Sequence, residues 1–145
     1  MAMTIVVGTP DETIVDSLQT LEFLFGALLM VTFDAKVNRI GYNAFRCSSV
    51  TKVDIPDTVD YVGVDAFAFC QTLSHVKCNA KELGAAVFSS CTALQQVVLG
   101  GVPKCISAGC FQMCESLTSV ILPDSIEKIE NGALWKCFAL KTIRI

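Results

Sequence analysis

One histidine and eight cysteines stand among the 145 residues, with aspartates in two matching turns. Ser-His-Asp or Cys-His catalysis needs a base within hydrogen-bond reach of its nucleophile. The single histidine, His75, lies in Ser74-His75-Val76-Lys77, where strand alternation sends His75 and Lys77 to solvent. Cys105, Cys110 and Cys114 are spaced by five and four residues. Structural zinc asks for two close Cys or Cys/His pairs, and neither a second pair nor a supporting histidine is present, so these thiols read as core filler. Asp57 and Asp124 occupy equal places in Ile55-Pro56-Asp57-Thr58-Val59 and Leu122-Pro123-Asp124-Ser125-Ile126, and read as turn or cap residues. Gly100-Gly101 runs into Val102-Pro103, not into a Lys-bearing phosphate loop. These residues point to no catalytic group, metal or cofactor, and the expectation is a protein that is not an enzyme. Eleven Lys and Arg against 14 Asp and Glu give a net charge of −3, the wrong sign for a nucleic-acid partner.

What must position such residues is a repeat. Cys47, Cys70, Cys91, Cys114 and Cys137 follow at steps of 23, 21, 23 and 23 residues. Equal steps along a whole chain suit stacked turns, each offering the same pocket. Three residues after each cysteine stands an apolar residue (Val50, Leu73, Leu94, Leu117, Leu140). Three further on comes Val53, Val76, Val97, Val120 or Ile143, and two further Ile55, Cys78, Leu99, Leu122 or Ile145. The last two columns have strand periodicity. Phe67, Phe88, Phe111 and Leu134 precede their cysteines by three, whereas Phe45 precedes Cys47 by two, which reads as a first turn one residue short. Small residues (Ala44, Ala66, Val87, Cys110, Ala133) come before the large ones. Apolar pairs three apart recur in the other half of the turn: Val37/Ile40, Val59/Val62, Ile126/Ile129. The third repeat spans ten positions from Cys78 to Phe88 where its neighbours span twelve. A turn of this size cannot bury its own apolar face, but a stack makes one continuous core.

The unit I-P-D-x-V-x-x-V-G-x-x-A-F-x-x-C-x-x-L-x-x-V, seen best in residues 55–76 and 122–143, resembles the BspA-like leucine-rich repeat. The resemblance implies an α/β leucine-rich-repeat solenoid, with short parallel strands on one, concave face and short helical turns on the other. It also implies protein–protein contact as the function, family members often being surface or adhesion proteins of bacteria and of protists, others intracellular. Gly100-Gly101 departs from the pattern, which has Pro-Asp there. The expected organisation is one domain, 1–145, with 1–32 as an N-terminal cap and 33–145 as about five repeats.

Within 1–32, Thr4–Val7 reads as a short strand. Thr9, Pro10 and Glu12 form a helix start with a capping box, and Ile14, Leu18, Leu21, Phe25 and Leu28 make one apolar face, so a helix capping the first turn is expected. Membrane insertion is not: the apolar stretch from Leu21 to Phe33 is shorter than the roughly 20 residues of a spanning helix, and Asp11, Glu12, Asp16 and Glu22 give the helix an acidic polar side. The opening residues lack a secretory pattern, so a cytoplasmic location with reduced thiols is expected, cell-surface display being the alternative from the resemblance. Arg144-Ile145 stand at a strand position, and an uncovered strand invites pairing, so the expectation is either that the C-terminal end pairs with another molecule, as in a homo-oligomer, or that the chain is a fragment of a longer array.

Alternation also defines the surface on which a partner protein would dock. One outward column is Met30, Lys52, His75, Gln96, Ser119, Thr142; the next is Thr32, Asp54, Lys77, Val98, Ile121, Arg144. Lys52, Asp54, His75, Lys77, Gln96, Val98, Ser119, Ile121, Thr142 and Arg144 are the candidate partner-binding residues. Val98 and Ile121 would form an apolar patch beside a weakly basic one made by Lys52, His75 and Lys77. The functional expectation is a non-enzymatic interaction module for a cytoskeletal or signalling protein, with surface adhesion and a self-associating structural block as alternatives.

Overall fold

The computed structural model describes residues 3–7, 14–15 and 29–145. Each turn but the last contributes two strands, a longer and a shorter one. The longer ones are β1 (Met3–Val7), β3 (Leu29–Phe33), β5 (Val50–Ile55), β7 (His75–Cys78), β9 (Gln96–Leu99), β11 (Ser119–Ile121) and β13 (Thr142–Arg144), joined in that order into one seven-stranded sheet. The shorter ones are β2 (Ile14–Val15), β4 (Arg39–Ile40), β6 (Tyr61–Val62) and β8 (Glu82–Leu83), which form a second sheet, and β10 (Cys105–Ile106) with β12 (Lys128–Ile129), which form a third. Every pairing is parallel. The second row accounts for the apolar pairs three apart: Ile40, Val62, Leu83 and Ile106 turn inward from it.

The columns read from the repeat are the core. Val31, Val53, Val76, Val97 and Val120 are buried in one row, and Leu73, Leu94 and Leu117 in another. Phe45, Phe67, Phe88 and Phe111 form a third row, with rings stacked at centroid spacings of 4.8, 5.5 and 5.6 Å. Burial of each such side chain stabilises the stack by about 1.5–3 kcal/mol, and each stacked pair adds roughly 0.5–1.5 kcal/mol.

The segments carrying the Phe row are not the expected helical turns; no helix occurs among the described residues. Two residues four apart adopt left-handed backbone in each turn: Asn43 and Cys47, Asp65 and Phe69, Ala86 and Ser90, Gly109 and Met113, Gly132 and Lys136. Left-handed residues interrupt an α-helix. The amides are handed to the next turn instead, Phe45 to Ala66 O at 2.7 Å, Phe67 to Val87 O at 2.9 Å and Phe111 to Ala133 O at 2.8 Å. The expected capping helix fails where it is described: Ile14–Val15 is a strand paired with Arg39–Ile40, because the second row of the sheet begins there. The rest of that helix lies outside the described residues. The expected strand at Thr4–Val7 is present as β1.

Cys47 does not belong to the cysteine column. It is exposed, with φ of 61°, and matches Phe69 in its turn. Ser48 holds the column position, its Oγ 3.4 Å from Cys70 Sγ. Its amide bonds to Phe45 O as that of Cys70 bonds to Phe67 O. The missing residue of the first turn therefore falls after the column, between Ser48 and Val50, not before it.

The short third turn lost its two residues at the Pro-Asp corner. Ala80 follows Cys78 by two and is buried in the place of Val59, which follows Ile55 by four. This explains Gly100-Gly101 in the next turn. The Gly100 amide donates to Cys78 O at 2.8 Å, a bond proline cannot make. A Cβ on Gly101, at φ of 66°, would overlap the Asn79 carbonyl oxygen. The same irregularity splits the second row between β8 and β10, where Ser107 donates its hydroxyl to Leu83 O. The split opens a groove of about 360 Å³ lined in part by Lys81, Pro103, Lys104 and Cys105.

Candidate functional site

The outward face of the seven-stranded sheet is the candidate site. The ladder aligns Met30, Lys52, His75, Gln96, Ser119 and Thr142 in one line, and Thr32, Asp54, Lys77, Val98, Ile121 and Arg144 in the next. All ten residues singled out for binding thus share one face, in the order the repeat predicts. Burial alternates along residues 53–55 and along His75–Cys78, because a strand shows successive side chains to opposite faces; at Thr51 and Lys52 the register shifts and the alternation breaks.

Ile121 is 37% exposed, and Val98 beside it is half-buried. A groove of about 200 Å³ adjoins Ile121, lined by Gln96, Ser119, Val120, Ile121, Thr142 and Arg144. At the other end of the face Lys52 and His75 are exposed. His75 Nδ1 lies 2.8 Å from Ser74 Oγ. Lys77 faces Asp54 at 3.9 Å, so the expected basic patch holds a carboxylate within it. That pair is largely solvated and contributes little to stability.

Sequence reasoning missed the ladders that lock one turn to the next. Ser74 Oγ donates to Thr51 O at 3.1 Å and Thr118 Oγ1 to Gln95 O at 3.0 Å, along the edge of the binding face. Thr58 and Ser125, just after the two repeated aspartates, donate to Val37 O and Pro103 O. Asp60 and Lys81, Arg46 and Asp65, and Lys104 and Glu127 pair between neighbouring turns. A hydroxyl recurring at one place in the repeat is the signal that could have revealed the first two.

The column thiols form a further ladder. Cys70, Cys91, Cys114 and Cys137 each donate S–H to the Phe carbonyl of the preceding turn, at 3.1–3.2 Å. Burial pushes the Cys114 thiol up to about 12. Cys78, on the strand row, is likewise raised by burial to about 12. A hydrogen bond with Cys70, then burial, holds Cys91 well above its ordinary value, and burial does the same for Cys110. Such thiols stay protonated and are poor nucleophiles and poor metal ligands. Cys110 and Cys114 are buried core residues, as the spacing argument expects, while Cys105 is half-buried at the split between β8 and β10. Burial, then the Glu130 carboxylate, raises the Cys105 thiol.

Among the described residues, no helix is long and apolar enough to cross a membrane.

The comparisons agree with this geometry. A structure of a leucine-rich-repeat protein from T. pallidum matches with a TM-score of 0.79 and 25% identity, covering 94% of this chain and 66% of that one. One from Eubacterium ventriosum matches at 0.81 and 21%, over 92% of this chain and 36% of that one. A leucine-rich cell surface protein from Faecalibacterium prausnitzii matches at 0.63 and 22%, over 97% and 46%. The chain thus spans between about a third and two-thirds of the length of these structures. No curated protein matches it in sequence. The family model of the BspA type leucine-rich repeat region, in six copies, matches residues 38–145. With the columns, the two strands per turn and this match together, the chain belongs to the BspA-type leucine-rich-repeat family.

Proposed function

We propose that this chain is a non-enzymatic interaction module that binds a partner protein on the outward face of its seven-stranded sheet. The observation behind this reading is the adjacency of Val98 and Ile121 beside the groove of about 200 Å³. An apolar centre with a polar rim is the usual anatomy of a protein interface. Gln96, Ser119, Thr142 and Arg144 supply hydrogen-bonding groups around it, and Lys52, Asp54, His75 and Lys77 extend the rim. The mixture of charges suits a partner recognised by shape and hydrogen bonds more than by net charge.

The test replaces Val98 and Ile121 together by Asp. Partners are captured from source lysate with the wild-type chain and with the double variant, and the captured protein is titrated by calorimetry. Loss of an apolar centre costs about 2 kcal/mol or more at an interface hot spot, so binding weakens at least about 30-fold while circular dichroism stays unchanged. Equal affinity for both chains rules out this face. Two settings fit such a module, a cytoplasmic cytoskeletal or signalling partner and surface adhesion, and fractionation of source cells separates them.

A further inference from the structure

Taking the outward sheet face as the binding face, the reading on which this rests, we propose that its occupant is an extended segment of the partner protein, laid across the strands, with the pattern acid-x-apolar-x-acid.

One outward line reads Lys77, Val98, Ile121, Arg144 in successive strands. An apolar pair therefore stands between two cations. Asp54, the one carboxylate in the two outward lines, lies on the far side of Lys77 from that pair and faces it at 3.9 Å. The contact is long and both side chains are partly solvated, so it holds Lys77 weakly and a ligand carboxylate can compete for the ammonium. Arg144 is exposed, and among the described residues no carboxylate forms an ion pair with it. The placement of the two cations, more than the sum of charges on the face, is what a partner can read.

The spacing selects the conformation of the ligand. Neighbouring strands lie about 4.8 Å apart, so the three steps from Lys77 to Arg144 span about 14 Å. An extended chain rises about 3.3 Å per residue and shows alternate side chains to one side, so its residues i and i+4 stand about 13 Å apart with i+2 midway between them. Running along this line, such a segment sets one carboxylate over Lys77, the other over Arg144 and an apolar side chain over Val98 and Ile121. An α-helix cannot do the same. Its rise covers about 14 Å in about nine residues, and that many residues carry the second side chain round to the opposite face. Gln96, Ser119 and Thr142, in the neighbouring line and around the groove, are placed to hydrogen-bond the segment's backbone. A further acid at i−2 would approach Asp54 and is disfavoured by like charge.

The test titrates the isotope-labelled full chain with a peptide blocked at both ends, Gly-Ser-Glu-Thr-Leu-Thr-Glu-Ser-Gly, followed by amide shifts in NMR spectra up to about 2 mM, the range of weak association. Shifts should centre on Lys77, Val98, Ile121 and Arg144. A peptide of the same composition with its two glutamates adjacent should bind about fivefold more weakly, because one carboxylate then loses its cation. Arg144→Glu, at an exposed position, should weaken the first peptide about fivefold and should prefer a peptide in which one Glu is replaced by Lys, the reverse of the wild-type order. Absence of shifts on this face, equal binding of the rearranged peptide, or an Arg144→Glu chain that keeps the wild-type order overturns the proposal. The face itself is judged separately. If these peptides fail while the Val98 and Ile121 double Asp variant loses its captured partner, the acidic pattern falls and the binding face stands; if the double variant keeps its partner, the binding face falls too.

Discussion

Replacing Gly101 by Ala tests how the shortened third turn reshapes the fourth. Two costs apply. The first is left-handed backbone, with φ of 66°, which a side chain opposes by about 1 kcal/mol once the loss of glycine's freedom in the unfolded chain is deducted. The second is steric. The new Cβ would overlap the Asn79 carbonyl oxygen and lie 3.0 Å from its carbon, so backbone must retreat. That movement strains the bond from the Gly100 amide to Cys78 O, worth about 1 kcal/mol, and adds an overpacking cost of at least about 1 kcal/mol. The expected total is about 3 kcal/mol, read from urea unfolding. Gly132 supplies the internal control. It has a similar φ of 69°, but a Cβ there would meet nothing nearer than 3.8 Å. Gly132→Ala should cost about 1 kcal/mol or less, since Ala86 already occupies the matching place at φ of 54°. Gly100→Ala should be rescued by Asn79→Ala, because only the Asn79 side chain blocks a Cβ there; at Gly101 the obstacle is backbone and the same change should not help. If Gly101→Ala and Gly132→Ala cost the same within about 0.5 kcal/mol, the steric account of Gly100-Gly101 is wrong.

The buried thiols predict a loss of stability in alkali. Their pKa values lie higher in the fold than in the unfolded chain, so the unfolded state loses its protons first and stability falls as pH rises above 9. For Cys78 and Cys114, raised to about 12, the loss is about 1.4 kcal/mol per group and pH unit. The urea midpoint should be constant from pH 7 to 8 and clearly lower at pH 10. Cys78→Val should reduce that drop by about 1.4 kcal/mol, and a drop of equal size in the variant would disconnect it from this thiol.

The outward columns were legible to the residue because period-two alternation leaves no freedom: slipping one residue would bury Lys52 and expose Val53. The Phe and Leu columns were legible because only large apolar side chains fill those places. The first-turn cysteine misled because a hydroxyl serves the column as well as a thiol. Ser48 next to Cys47 therefore offers two registers, and only the backbone bond to Phe45 decides between them. The second row of strands is two residues long at each turn, too short for alternation to register. The first left-handed position of the turns, held by Asn43, Asp65, Ala86, Gly109 and Gly132, carried a signal in its Asn, Asp and Gly residues that the helical reading passed over; the second, held by Phe69, Ser90, Met113 and Lys136, has no such signature. The spacing from Ile14 onward suits a helix, but pairing of Ile14–Val15 with Arg39–Ile40 overrides it. Which outward residues a partner touches depends on that partner and is not encoded in the repeat.

The claim beneath the whole account is that successive turns stack in one register with the thiol column inside. Native-state alkylation read by peptide mass spectrometry tests it most directly. Cys47 should react at the rate of the unfolded chain, while Cys70, Cys91 and Cys114 should react only through opening, slower by about a thousandfold or more. Protection of Cys47 together with rapid labelling of those three would contradict the register and the solenoid built on it.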